Sequence, residues 1–377
     1  MHHQRHDVLA AVPGTCRQIH SFHYGPAPEH GKIYIQASLH ADELPGMLVI
    51  WHLKQRMLEL EQAGLLRKHI VLVPVANPAG LEQVLMDVPQ GRFDNESRQN
   101  FNRFFVDVSQ EVGDSVEGQL TQDPEHNTQL IRSALRRVLV ATQPLTHVQA
   151  LRQTLQTLAC DADMVLDLHC DFEAVQHLYL APAFWPQVEP LARYLGARAC
   201  FMATESGGQS FDEWFTLFWA QMQARFAPRF PLACCSFAVT VELRGVADVT
   251  HELARDDSQA LIDYLIHAGA VEGQPKALPA LLNPPTPLAG VEPLNSPTGG
   301  LLVFYAQAGD YLQAGAVVAD IIDPITDRIT PVVCQREGLL YVRSLRRMAT
   351  AGMTIAHVAG AQAYRQAVSY THLTLPT

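Results

Sequence analysis

The chain is poor in lysine, in patterned cysteine and in long apolar runs. Only four lysines occur in 377 residues, Lys32, Lys54, Lys68 and Lys276, and the formal net charge is -11. No basic tract therefore offers itself to a nucleic-acid backbone, and no nucleic acid is expected as a partner. No segment carries eighteen uninterrupted apolar residues, so neither a membrane span nor a secretion signal is expected. The seven cysteines are scattered, with only Cys234 and Cys235 adjacent. They make neither a disulfide framework nor a Cys-x-x-Cys metal knuckle, and they point to reduced thiols in a cytoplasmic protein. A hydrophobic content of 48% against 17% charged residues describes an ordinary globular chain.

What the chain does have is histidine, seventeen in all. His2, His3 and His6 stand too early for a cleft and read as a solvated arm. His40 is different. An apolar run over 33–39 reads as a strand that delivers it to a turn, and Pro45 opens a helix whose apolar positions include Met47, Leu48, Trp51 and Leu58. His40 and Glu43 share that turn three residues apart, a spacing at which an imidazole and a carboxylate can converge on one metal ion. The bland alternative is a pair of polar groups at a helix N-terminus.

A second strand over 70–75 gives a strand-helix-strand unit and hence a parallel pair. An irregular stretch follows, from Asn77-Pro78 through Gly91-Arg92-Phe93-Asp94 to Asn100-Phe101-Asn102-Arg103, and such loops past strand ends are where open α/β sheets bind ligands. Residues 124–159 read as helical, 164–169 as a strand ending on His169, and 177–180 as its neighbour. Phe211 to Phe226 reads as an aromatic helix whose Trp214, Phe215 and Phe218 belong to the core. A strand over 237–243 carries Glu242, and a helix runs through 260–268. Five prolines between Pro275 and Pro287 mark a linker. Short strands separated by Gly-containing turns then form an all-β region over 288–361. Its turns resemble those of lipoyl and biotinyl carrier modules, but no lysine is present there to carry the group. Residues 368–377 continue no periodicity and read as a non-native tail.

Four signals thus stand in one order: His40-x-x-Glu43, Asn102-Arg103, Asp167-x-His169 and Val241-Glu242-Leu243. A parallel sheet would gather them along one edge. His40, Glu43 and His169 make three ligands with a fourth position open, the arrangement of a catalytic zinc. Asp167, two before His169, shares its face and is a candidate acceptor for the imidazole.

In order and spacing these residues resemble the succinylglutamate desuccinylase/aspartoacylase branch of the zinc carboxypeptidase superfamily, over roughly 30–270. The resemblance implies a mixed, largely parallel α/β sheet flanked by helices, with a smaller C-terminal all-β domain. The corresponding division is a catalytic domain over 1–274, a linker over 275–287 and a β domain over 288–361. It implies one zinc per chain held by His40, Glu43 and His169, with Glu242 as general base and acid. Asn102 and Arg103 would grip a substrate carboxylate, and an arginine ahead of them would polarise the scissile carbonyl. Arg92 is our choice for that arginine; the spacing departs from the family's pattern, so Arg98 competes with it. The implied activity is a zinc-dependent amidohydrolase acting on an N-acyl amino acid or a similar small carboxylate-bearing amide. A metallocarboxypeptidase releasing a C-terminal residue and a metal-free binding protein on the same scaffold are the alternatives. The apolar content also leaves room for a homodimer.

Overall fold

The computed structural model describes residues 1–10, 12–233 and 236–363; the Cys234-Cys235 pair and the tail from 368 lie outside the described residues. Strands β1 (His2–Val8), β2 (Arg17–Tyr24) and β3 (Lys32–Ala37) precede helix α1 (Pro45–Gln62) and strand β4 (His69–Val73). A short helix α2 (Pro78–Leu81) and a small hairpin, β5 (Val84–Leu85) with β6 (Val88–Pro89), lead to α3 (Ser109–Val116), α4 (Pro124–Ala141) and α5 (His147–Ala159). Then come β7 (Met164–Asp171), β8 (Glu173–Ala174), β9 (His177–Leu180), α6 (Trp185–Leu195), β10 (Ala199–Met202), α7 (Phe211–Phe226), β11 (Phe237–Gly245), α8 (His251–His267) and β12 (Thr286–Pro287). Eight further strands follow: β13 (Val291–Asn295), β14 (Gly300–Phe304), β15 (Tyr311–Leu312), β16 (Val317–Asp323), β17 (Arg328–Val333), β18 (Gly338–Arg343), β19 (Met348–Ala349) and β20 (Thr354–Ala359). The expected mixed, largely parallel sheet with flanking helices is formed, with antiparallel β sheets in the C-terminal region.

Two compact units divide the chain. The first comprises Met1–His169, Gln209–Thr240 and Thr250–Lys276; the second comprises Cys170–Gly208, Val241–Val249 and the chain from Ala277 onward. In the first unit β3 is central, pairing in parallel with β4 on one side and β7 on the other, while β1, β2 and β4 pair antiparallel. Residues Tyr34, Val71, Val165, Phe215 and Phe218 share one fully buried cluster, so the aromatic stripe of α7 is core. In the second unit β9, β10 and β12 pair in parallel. The C-terminal strands build a sheet in the order β13-β20-β18-β15, with β8 paired to β18, and a second one in the order β17-β16-β14-β19.

Several sequence expectations need correction. The helical stretch over 124–159 is two helices: Pro144 cannot continue the first, and Thr146 opens the second with a capping box completed by Gln149. Helix α1 buries Val49, Ile50, Leu53, Met57 and Leu60, and leaves Trp51 49% exposed. Its rotation is fixed by Gly46, where a Cβ would lie 2.9 Å from Ala37 Cβ and 3.0 Å from Leu168 Cβ. Only a residue without a side chain lets the helix meet both strands so closely. Helix α8 starts at His251, nine residues earlier than expected, because Thr250 caps it through the Leu253 amide.

Nor is the N-terminal arm merely solvated. It is strand β1, and His2 and His6 line a cleft of about 600 Å³ together with His23, Lys32, His69 and Arg136. A run of contacts crosses this cleft. His6 Nε2 lies 2.7 Å from Ser21 Oγ, Ser21 Oγ 2.8 Å from His23 Nε2, His23 Nδ1 3.1 Å from His69 Nε2, and His69 Nδ1 2.9 Å from the Pro26 carbonyl oxygen. Among the described residues the cysteines are free thiols, and no helix is long and apolar enough to cross a membrane.

Candidate functional site

The parallel register of β3 and β7 pairs Gln36 with Asp167 and Ala37 with Leu168. His169, near the carboxyl end of β7, therefore lies level with the turn that follows β3, where His40 stands. The turn after β3 is tight: Ser38, fully buried, adopts a left-handed backbone with φ 63°, a conformation that L side chains take at a cost. Glu43 is presented just before Pro45 starts α1.

These three side chains meet. His40 Nδ1 is 2.9 Å from Glu43 Oε1, and His169 Nδ1 is 2.7 Å from Glu43 Oε2. The two rings face edge-on with centroids 5.1 Å apart. The opposite nitrogen of each ring also has a neighbour. Asn100 Oδ1 lies 2.9 Å from His40 Nε2, and Asp167 Oδ2 lies 3.0 Å from His169 Nε2. Asp167 is itself held by Gln36 Nε2 at 3.0 Å, and Gln36 by the Tyr34 hydroxyl at 2.9 Å.

This is a donor set that a zinc ion fits. Two imidazole Nδ1 atoms and a carboxylate converge, with ligand atoms of the three residues within 4.8 Å of one another, and Asn100 Oδ1 accepts at His40 Nε2, which favours the tautomer that leaves the His40 Nδ1 lone pair inward. Electrostatics at the site pull the two imidazoles in opposite directions. Burial would raise the Glu43 pKa, but His40 and His169 outweigh it and hold the carboxyl well below its usual range. Burial and the charge of Arg92 push His40 down to about 4. Burial works against protonated His169 as well, but Asp167 and Glu43 outweigh it and raise its pKa.

The loop between β6 and α3 supplies the remaining groups of the first unit. Arg92 Nη2 is 3.1 Å from Glu43 Oε1, whereas Arg98 sits on an exposed turn, its amide bonded to the Asp94 carbonyl oxygen at 2.7 Å. Asn102 and Arg103 are both buried. The Asn102 Oδ1 accepts the Phe211 amide at the start of α7 at 2.9 Å, and Arg103 Nη1 donates to the Asn102 carbonyl oxygen at 2.6 Å. Glu242 is buried on β11 and belongs to the second unit. Asn100 carries no motif of its own in the sequence; its one signal is its place two residues before Asn102, a spacing that would direct both side chains to one face of an extended segment.

The sequence model of the succinylglutamate desuccinylase/aspartoacylase catalytic domain matches residues 29–268. No curated relative matches the sequence. Among solved structures, a protein described as of this family from Shewanella amazonensis SB2B is similar with a TM-score of 0.84 and 22% identity, over 95% of this chain and 98% of that chain. One from Shewanella frigidimarina NCIMB 400 is similar at 0.82 and 22%, over 95% and 96%. The product-bound ectoine utilization protein EutE of Ruegeria pomeroyi is similar at 0.64 and 17%, over 96% and 95%. At such identities the likeness is one of fold.

Proposed function

Because the chain belongs to the succinylglutamate desuccinylase/aspartoacylase family, a family of deacylating enzymes, we propose that it is a zinc-dependent amidohydrolase that removes the acyl group from an N-acyl amino acid. The observation that carries this reading is the convergence of His40 Nδ1, His169 Nδ1 and the Glu43 carboxylate. Zinc, when bound there, supplies the positive charge that polarises an amide carbonyl and acidifies water near neutral pH.

The chain's own residues divide the rest of the work. Asn100 and Asp167 keep the imidazoles oriented. Glu242 takes the proton of the attacking water and returns it to the leaving amine. Arg92 offers fixed positive charge where the carbonyl oxygen becomes an oxyanion. Arg103 presents a planar fork that suits the substrate's free carboxylate, while Asn102, held by the Phe211 amide, keeps Arg103 in register. The same reading assigns catalysis to 1–274 and a separate β domain to 288–361, with 275–287 between them, and it places the enzyme in the cytoplasm with one zinc per chain.

The test is metal content together with hydrolysis of N-acetyl, N-succinyl and N-formyl amino acids, with and without chelator. About one zinc per chain and chelator-sensitive release of a free amine are expected. Zinc without release of any amine would overturn the deacylase assignment, and absence of bound metal would overturn the zinc assignment.

A further inference from the structure

Helix α5 lies outside the motifs that define the site, yet it holds the loop on which much of the site depends. The loop is a braced pair of arms. Phe93 pairs with Asn100, the Phe101 amide donates to the Arg92 carbonyl oxygen at 3.1 Å, and the Asp94 amide donates to the Gln99 carbonyl oxygen at 2.9 Å. One arm carries Arg92, which meets Glu43; the other carries Asn100, which meets His40, and continues into Asn102 and Arg103.

Arg152, 3% exposed on α5, addresses three consecutive residues of the second arm. Its Nη1 donates to Gln99 Oε1 at 2.9 Å, its Nη2 to the Asn100 carbonyl oxygen at 2.8 Å, and its Nε to the Phe101 carbonyl oxygen at 3.4 Å. From the same helix His147 Nε2 reaches Asp94 Oδ1 at 3.0 Å. A buried guanidinium is costly unless its donors are used, and here they are spent on two backbone oxygens and one side-chain oxygen of the loop that aims Asn100 at His40. A lysine could present only a point charge on a flexible stem, without the planar fork that fits three acceptors.

We propose that Arg152 is a positioning residue, fastening the 99–101 segment so that Asn100 holds His40 and the Asn102-Arg103 pair stays aimed at the substrate. The part concerning substrate rests on the deacylase reading; the part concerning His40 rests only on the metal-ligand geometry.

The experiment compares full-length Arg152→Ala and Arg152→Lys with the wild type and with Leu155→Ala, a substitution in the buried core of the same helix. Three quantities are read on the folded fraction: zinc affinity by chelator competition, the separate KM and kcat for an N-acyl amino acid, and the response to millimolar guanidinium. Both Arg152 variants are expected to lose about 10- to 100-fold in zinc affinity and to raise KM, with guanidinium restoring Arg152→Ala. Leu155→Ala is expected to lose stability with zinc affinity unchanged. If Arg152→Ala does not fold, Arg152→Lys decides the matter. Zinc affinity and KM unchanged in a folded Arg152→Lys would overturn the proposal, as would losses that merely follow those of Leu155→Ala. Should the wild type hydrolyse no amide, the deacylase reading falls, while zinc competition still decides whether Arg152 holds His40.

Discussion

Arg92 and His40 share one oxygen atom: Glu43 Oε1 lies 3.1 Å from Arg92 Nη2 and 2.9 Å from His40 Nδ1. The guanidinium therefore stands beside the candidate metal ligands. Replacing it with a neutral amide, Arg92→Gln, is expected to lower kcat by about 10²-fold, the usual cost of losing one oxyanion-stabilising donor. Zinc content should persist, since Arg92 is not itself a ligand. Steady-state kinetics with metal analysis checks both halves, and an unchanged kcat would remove Arg92 from the reaction in favour of another cation.

Glu242→Gln is expected to retain zinc and lose about 10²-fold or more in kcat, because the amide cannot take a proton from water. The KM of an N-acyl amino acid should move little. Turnover close to wild type would mean that Glu242 is a structural strand residue.

Gly91 provides a probe that touches no functional side chain. Its carbonyl oxygen accepts the Ala41 amide at 3.0 Å, and a Cβ there would collide with the Asp42 amide nitrogen and lie 2.7 Å from the Ala41 carbonyl carbon. The loop bearing Arg92 is thus pressed directly against the turn bearing His40 and Glu43. Gly91→Ala should cost about 1–3 kcal/mol of stability, as overpacking does, and weaken zinc binding as well. Urea unfolding of the metal-free protein and chelator competition measure the two effects; full tolerance of the methyl would contradict the close approach.

Acid should destabilise the protein through His177. This fully buried ring has its pKa pushed down to about 4 by burial, against the opposing hydrogen bond from Nδ1 to the Val175 carbonyl oxygen. In the unfolded chain the same group titrates near 6.5. The unfolded state therefore binds the extra proton first, so stability is intact above pH 6.5 and falls as the pH is lowered from 6.5 to 4. The loss through this group is about 3 kcal/mol at most. His177→Gln should flatten the decline across that window in urea titrations; an unaltered slope would acquit His177.

The His40-Glu43-His169 cluster is legible because His40 and Glu43 stand on the turn after β3 and His169 near the end of β7, and adjacent parallel strands in register bring such positions together. Ala37 opposite Leu168 does this for His40 and His169. Arg152 and Asn100 were not legible in the same way. Arg152 acts on backbone oxygens and an amide about fifty residues away in sequence, and a donor aimed at main chain leaves no residue pattern at the receiving end. The apolar pattern of α1 does not by itself tell which face is buried. The sequence offers two apolar stripes, one with Trp51 and Leu58 and one with Val49, Leu53, Met57 and Leu60, and the steric contact at Gly46 selects the second. The break between α4 and α5 has its signal at Pro144 and Thr146, which the unbroken helical reading of 124–159 passes over.

The histidine run across the N-terminal strands can be read in one direction only. The Pro26 oxygen can accept but not donate, so His69 must carry its proton on Nδ1 and turn a bare Nε2 toward His23. His23 must then be protonated on Nδ1, Ser21 must spend its hydroxyl hydrogen on His23 Nε2, and His6 must give its Nε2 hydrogen to Ser21. Burial lowers the pKa of all three rings, which keeps them neutral at physiological pH. One fixed carbonyl thus dictates the tautomer of three imidazoles on three strands, and it makes His6 Nδ1, at the far end, an acceptor nitrogen.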